Sequence, residues 1–118
     1  MDVAAKLQLK PGHQVAVVGL PGDLHVPLPF SADADPRSAD AVIVFVTTAA
    51  DLRARGRAAI EAARRDAIAW VAYPKAGALG TDLNRDALAA LLMEAGIRPV
   101  RQVAIDGVWS ALRFRPAP

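Results

Sequence analysis

The chain has 118 residues, which is the size of one domain, and it contains no cysteine. The lack of cysteine excludes a disulfide framework, a thiolate zinc site and a cysteine nucleophile. The longest apolar runs are far shorter than the roughly 18 residues that span a bilayer, and no apolar stretch with a cleavage site begins the chain, so we expect a cytoplasmic protein without a membrane span. The net charge of +2 is uneven, because most of the 14 basic side chains lie in the second half.

The first 37 residues predict one strand and one irregular loop. Residues 14–19 (QVAVVG) form a continuous apolar run, which is typical of a strand covered on both faces. Residues 7–11 before it form a short lead-in. Residues 20–37 then hold four of the nine prolines together with Gly22. Because proline removes the backbone donor that regular structure needs, we predict an irregular loop there.

The next apolar run, DAVIVFVT, predicts a second buried strand followed by a helix. Thr47 or Thr48 offers the hydroxyl of an N-cap, and Asp51 places a negative charge in the first turn. The apolar spacing continues this helix to about Arg65. Gly56 lies in its middle, where glycine costs about 1 kcal/mol relative to alanine. We therefore expect Gly56 to pack closely against a neighbour.

Residues 68–72 predict a third strand, which Pro74 ends because proline cannot donate to a strand ladder. After a glycine-containing loop, Thr81 is the natural N-cap of a second helix, and Gly96 follows its end. The apolar side of that helix is a stripe formed by Leu83, Ala87, Leu88, Leu91, Leu92 and Ala95.

The last third of the chain predicts a β-hairpin. Residues 100–105 and 108–114 alternate in polarity, and they are separated by Asp106 and Gly107, a dipeptide that supplies the positive φ angles of a tight turn. The order of elements is strand, irregular loop, strand, helix, strand, helix, hairpin. Helical crossovers join parallel strands, so we predict an α/β domain over residues 1–118 with a parallel core and an antiparallel hairpin at one edge.

This pattern resembles the carboxyl half of class I S-adenosylmethionine-dependent methyltransferases, and the opening LKPGHQVAVVGLPG resembles their first strand and glycine loop. The resemblance implies a Rossmann-like mixed sheet of about five strands in the order 1-2-3-5-4, flanked by helices. It also implies a cofactor site at Gly19 and Gly22. The corresponding run lacks the acidic residue and the further glycine of that family, so we expect no S-adenosylmethionine or other cofactor.

Four local sequences resemble a small bacterial family of uncharacterised single-domain proteins. They are KPGHQVAVVG, WVAYPKAG, TDLNRDAL and RPVRQVAIDGVWSALRF, and together they span nearly the whole chain. This resemblance implies a single-domain cytoplasmic protein, and it implies no activity.

The candidate ligand site is the loop after the third strand. In an open α/β sheet, ligands bind outside the carboxyl ends of the strands. We predict that Lys75 meets an anion, that Arg85 clamps it, and that backbone amides near Thr81 add hydrogen bonds, with Tyr73 and Asp82 beside them. The alternative is structural: Thr81 caps a helix, Asp82 serves the helix dipole, and Lys75 and Arg85 are solvated.

Other chemistries find less support in the residues. The two histidines, His13 and His25, lie twelve residues apart without metal-ligand spacing, so no metal is expected. Ser110 lies in a strand and not in a nucleophile elbow. Trp70 and Trp109 are interpreted as core residues. The arginines of the first helix lack aromatic neighbours and a second reading helix, so nucleic acid is not expected as a partner.

The leading functional hypothesis is a non-catalytic domain that binds a partner or a small anionic ligand. A homo-oligomer formed through the exposed edge of the hairpin is a further expectation, because edge strands carry unpaired amides. The alternative hypothesis is a reduced methyltransferase-like enzyme or a nucleotide-binding domain.

Overall fold

Five strands form one mixed sheet in the computed structural model of the chain, which describes residues 3–21, 33–75 and 77–118. Their order is 1-2-3-5-4. The first three strands are parallel, and β5 is antiparallel to both of its neighbours, as predicted. The strands are β1 (Val15–Val18), β2 (Ala41–Phe45), β3 (Ile68–Pro74), β4 (Ile97–Ala104) and β5 (Trp109–Pro116).

Helices flank this sheet. They are α1 (Val3–Lys6), α2 (Ala49–Arg55), α3 (Arg57–Arg64) and α4 (Arg85–Met93), with a 3-10 turn at Ala78–Gly80. None of the helices in these three stretches of chain is long and apolar enough to cross a bilayer. The helix α1 was not predicted, and it lies just before residues 7–11, which were interpreted as a lead-in.

The side of the sheet that packs against α3 and α4 is called the helix face here. All five residues of β2 are buried, since β2 lies between β1 and β3 and is covered on both sides. The sheet contributes mainly Val, Leu and Phe side chains to this core, and the helices contribute small alanines together with leucines of α4. The members include Val42, Val44, Val71, Leu112 and Phe114 with Ala59, Ala62, Ala63, Leu88 and Leu92.

The other side of the sheet, called the far face, is covered by residues 3–9. Ala4, Leu7 and Leu9 pack there against strand residues that include Phe45 and Trp70. The Trp70 ring nitrogen donates a hydrogen bond to the Leu7 carbonyl at 2.9 Å. Trp70 is fully buried and Trp109 nearly so, which confirms that both are core residues.

The predicted helix from the second strand to about Arg65 is broken at Gly56. Its start is confirmed: the Thr48 side chain accepts from the Asp51 N–H and the Asp51 carboxylate accepts from the Thr48 N–H, which is a capping box. Gly56 ends α2 and precedes α3. Gly56 itself is buried and keeps right-handed helical dihedral angles, with φ −65° and ψ −18°.

The predicted N-cap of α4 was wrong. Asn84 occupies that position, and its side-chain oxygen accepts from the Ala87 N–H at 2.8 Å. Thr81 lies one turn earlier in extended conformation, where tertiary contacts hold it. Both residue types are good caps, so the choice depends on contacts that a local pattern does not show.

The hairpin turn also differs from its prediction. Neither Asp106 nor Gly107 has a positive φ. Instead, the Asp106 carboxylate accepts from the N–H groups of Val108 and Trp109, both at 2.7 Å. Such an Asx-type turn closes a longer loop without left-handed backbone. The predicted loop of residues 20–37 lies largely outside the described residues.

A test of the tight packing is the substitution Gly56→Ala. A Cβ atom at Gly56 would come within 2.5 Å of the Leu52 carbonyl oxygen and 2.9 Å of its Cδ1. We expect the free energy of unfolding to fall by about 1–3 kcal/mol, as in other overpacked sites. Urea denaturation measures this. The control is Gly107→Ala, where no atom lies within 4 Å, and which should be nearly neutral. Equal effects of the two changes would contradict the packing at Gly56.

Candidate functional site

A pocket of about 340 Å³ opens at the carboxyl end of β3, between that strand, the start of α4 and the hairpin. Three of the five predicted site residues lie in it: Tyr73, Lys75 and Arg85. The complete lining is Tyr73, Lys75, Asn84, Arg85, Asp86, Gln102 and Ser110. A second pocket of about 320 Å³ adjoins it along β4, and it is lined by Arg85, Pro99, Val100, Arg101, Gln102 and Leu112.

The sheet register brings three polar side chains together beneath the start of α4. Tyr73 of β3 pairs with Ser110 of β5, and Gln102 of β4 pairs with Leu112, two residues beyond Ser110. Paired residues and those two apart share a side of the sheet, so all three side chains lie on the helix face. The Gln102 amide donates a hydrogen bond to the Tyr73 hydroxyl at 3.0 Å.

Ser110 is the buried polar residue of this pocket. It is 6% exposed, and its hydroxyl has no hydrogen-bond partner within the part of the chain that the structure describes. In the described chain, the fully buried side-chain polar atom without a partner is Arg113 Nε, so the Ser110 oxygen is open to the space of the pocket. The Ser110 hydroxyl is therefore a donor and acceptor available to whatever enters the pocket.

The start of α4 supplies further donors. Asn84 satisfies the N–H of Ala87, and the first two residues of α4, Arg85 and Asp86, belong to the pocket lining. The first N–H groups of a helix have no partner within the helix, and together with the helix dipole they favour an anion. The helix thus adds positive potential to the site.

Lys75 and Arg85 bring two positive charges to the lining, and Asp86 brings one negative charge. None of the four ion pairs found among the described residues includes Lys75 or Arg85. The backbone of Lys75 is held, since its N–H donates to the Val108 carbonyl at 2.8 Å. Both cationic side chains are exposed and therefore available to a ligand.

The pKa of the Tyr73 hydroxyl depends on burial and on the charges around the pocket. Burial is the largest cause and raises the pKa above the usual 10.0. The negative charge of Asp86 also raises this pKa, whereas the positive charge of Arg85 and the hydrogen bond from Gln102 lower it. Since burial is the largest of these causes, the phenol is neutral at physiological pH. It can donate its proton to an acceptor in the pocket.

The other two predicted residues face a different element. The Thr81 hydroxyl donates to the Thr47 carbonyl at 2.5 Å, and the Asp82 carboxylate accepts from the Ala49 N–H at 2.9 Å. Ala49 is the first residue of α2, so Asp82 serves the start of that helix and not of α4. Thr81 and Asp82 thus anchor the loop that crosses the end of the sheet, and their side chains do not line the pocket.

The alternative cofactor position at Gly19 is filled by an arginine. Gly19 has a φ of 74°, and a Cβ atom there would lie 2.6 Å from Arg55 Nη1 and 2.8 Å from the Phe45 carbonyl oxygen. Arg55 Nη1 donates to that carbonyl at 2.8 Å. Close approach of a ligand to the Gly19 backbone would therefore require the Arg55 guanidinium to move. Gly22, the second predicted cofactor residue, lies outside the described residues.

No group of three or more His, Asp or Glu side chains is placed to hold a metal ion within residues 3–21, 33–75 and 77–118. His13 accepts a hydrogen bond from the Lys10 N–H in a turn. His25 lies outside the described residues.

Four lining residues were missed by sequence reasoning: Asn84, Asp86, Gln102 and Ser110. Asn84 and Asp86 follow directly from moving the helix start from Thr81 to Asn84. Ser110 carried a signal, because it is a polar residue between the buried Trp109 and Ala111 on the strand that was expected to pair with β3. Gln102 carried none, since its role depends on the register across the hairpin.

Titration of the tyrosinate absorbance tests this electrostatic arrangement, and the chain contains one tyrosine, which makes the signal unambiguous. We expect a pKa above 10.0 in the parent. Arg85→Ala should raise it further, because a positive charge that favours tyrosinate is lost, and Asp86→Asn should lower it. Since the folded-state pKa is the raised one, the neutral phenol stabilises the fold below about pH 10, and that stability falls as the pH rises through the folded pKa.

The exposed Arg53→Ala variant is the control for that titration and should leave the pKa unchanged. Identical titration curves for the parent, Arg85→Ala and Asp86→Asn would show that these two residues do not face the Tyr73 hydroxyl.

No protein-family model, curated protein or solved structure matches the chain significantly. The function is therefore argued from the geometry of the pocket and from the chemistry of its lining.

Proposed function

We propose that this protein is a non-catalytic α/β domain that binds a small anionic ligand in the pocket at the end of β3. The observation that carries the proposal is the pair of cations in the pocket lining: Lys75 and Arg85 are exposed there and take part in none of the ion pairs of the described chain. The Ser110 hydroxyl also lines the pocket and can donate a hydrogen bond to an acceptor of the ligand.

The charge of the lining supports an anion as that ligand. Lys75 and Arg85 lack ion-pair partners in the described chain, and the first residues of α4 belong to the same lining, where a helix start favours negative charge. Arginine forms paired hydrogen bonds with carboxylates and phosphates, and lysine adds a point charge. A phosphate or carboxylate group is thus the chemistry that this lining fits best.

The same lining supports binding without covalent chemistry. A nucleophilic serine needs a base within hydrogen-bond reach, and the Ser110 hydroxyl has no such partner in the described residues. Its neighbour Tyr73 is held neutral by burial, which suits a hydrogen-bond donor better than a base. A cytoplasmic location belongs to the proposal, and the absence of cysteine is compatible with it.

A methyltransferase-like or nucleotide-binding domain is the second candidate. The strand order 1-2-3-5-4 favours it, because the resemblance to class I methyltransferases implied that order. The Arg55 guanidinium beside Gly19 weighs against it, since the phosphate or methionine part of a cofactor approaches the backbone at such a glycine. Binding experiments separate the two candidates.

Thermal unfolding in increasing inorganic phosphate, at constant ionic strength, tests the proposed function. We expect phosphate to raise Tm in the parent, because a ligand that binds the folded state stabilises it. Lys75→Ala with Arg85→Ala should remove this gain while leaving the ligand-free Tm nearly unchanged. Ser110→Ala should weaken binding, because it removes a donor that faces the pocket, and it should leave the ligand-free Tm nearly unchanged, because the side chain makes no hydrogen bond in the described chain.

The matched control is Lys10→Ala with Arg53→Ala, which removes the same charge from exposed positions outside the pocket. Loss of the phosphate effect in this control, or no effect in the parent, would refute the proposed site. Calorimetry with S-adenosylmethionine is the second arm. Heat of binding there would replace the proposal with the methyltransferase-like candidate.

A homo-oligomer through β4 is retained as a prediction. β4 is the last strand of the sheet, so one row of its amides and carbonyls has no strand partner. The row is interrupted by Pro99 and by a bulge between Pro99 and Arg101, which leaves residues 101–104 as the regular part. Light scattering on a dilution series is expected to show a dimer mass at high concentration. A monomer at every concentration would contradict this prediction.

A further inference from the structure

Four arginines lie opposite one another on the far face of the hairpin. Arg98 of β4 pairs with Arg115 of β5, and Arg101 pairs with Arg113. Cross-strand partners have their side chains on the same side of the sheet, and Arg113 and Arg115 alternate with Leu112 and Phe114 of the helix-face core. We call this surface, formed by Arg98, Arg101, Arg113 and Arg115, the arginine face.

Like charges at directly opposite positions destabilise a strand pair. Two such pairs in succession therefore cost stability, and the cost needs an explanation. Protection of the sheet edge does not explain that cost, because Arg113 and Arg115 lie on β5, which is inside the sheet between β3 and β4.

The positive charge of the arginine face is only partly balanced within the described chain. Asp66 forms two hydrogen bonds with Arg115, both at 3.0 Å. Arg113 donates to the side chain of Gln8, which is neutral, and the Nε of Arg113 is buried without a hydrogen-bond partner. Burial, and then the charges of Arg115 and Arg101, lower the pKa of Arg113. The arrangement thus concentrates positive charge without supplying enough carboxylates to neutralise it.

We propose that the arginine face binds the phosphate backbone of a nucleic acid duplex. Arginine is the side chain best suited to phosphate oxygens, and the exposed Arg98, Arg101 and Arg115 present several guanidinium groups on one strand pair. The arginine face is distinct from the anion pocket, which lies on the helix face at the carboxyl end of β3 and contains none of these four arginines. Arg101 does border the second pocket along β4, so it lies at the edge between the two surfaces.

A duplex fits this surface better than a single strand. Proteins that bind single strands without sequence preference stack the bases on exposed aromatic rings. The aromatic residues of the described chain are all buried, namely Phe45, Trp70, Tyr73, Trp109 and Phe114. Contact through phosphates alone is independent of sequence and depends strongly on salt. The arginines of α2 and α3, on which the sequence-based expectation of no nucleic acid rested, are not part of this surface.

Fluorescence anisotropy with a short labelled duplex tests the proposal on the full chain. With about three phosphates neutralised by the exposed arginines, the affinity should fall roughly 40-fold between about 50 and about 200 mM salt. Arg98→Gln with Arg101→Gln should weaken binding at low salt by at least about tenfold, as expected for the loss of two phosphate contacts. The same variant should keep or raise Tm, because it removes two repulsions across the hairpin.

The control is Arg53→Gln with Arg57→Gln, which removes the same charge from the exposed surface of α2 and α3 and should leave binding within about twofold of the parent. No binding of the duplex at low salt would overturn the proposal. Equal weakening by both double variants would overturn it too, since the effect would then be one of net charge. Binding to anionic lipid vesicles in place of the duplex would assign the arginine face to a membrane surface and likewise refute it.

Discussion

The antiparallel pairing of β5 between β3 and β4 fixes the side chains that carry both proposals. β5 places Ser110 on the helix face, beside Tyr73 of β3, and it places Arg113 and Arg115 on the far face. Because side chains alternate along a strand, a shift of one residue would exchange the two faces. The buried Leu112 and Phe114 hold the register, since exposing them to the far face would cost about 1.5–3 kcal/mol each.

The central strands β2 and β3 were predictable from the sequence because nearly all of their residues are buried. β2 is buried on both faces, and a strand of that kind appears as an unbroken apolar run. The start of α2 was predictable for another reason: Thr48 and Asp51 form a capping box by contacts three residues apart. Features determined by such short-range contacts, or by burial alone, are visible in a linear chain.

Features that depend on distant contacts were not predictable. Thr81 and Asn84 are both suitable helix caps. The Thr81 hydroxyl instead donates a hydrogen bond to the carbonyl of Thr47, which is 34 positions distant along the chain. Asp82 is held in the same way by the N–H of Ala49. The candidate site was predicted for Tyr73, Lys75 and Arg85, because these lie within one turn of a strand end or helix start. Ser110 and Gln102 required the pairing of strands far apart in sequence.

The hydrogen bond between Trp70 and Leu7 helps to hold residues 3–9 against the far face of the sheet. The segment that carries Leu7 contains a helix of only four residues, which is too short to be stable without its contacts to the sheet. It covers an apolar surface that includes Phe45 and Trp70. Besides the Trp70 ring and the aliphatic contacts, Lys6 holds the segment by donating to the Ala104 carbonyl at 3.3 Å, and Gln8 holds it by accepting from Arg113. Detachment of the segment would expose this apolar surface to water, and exposed apolar patches promote association.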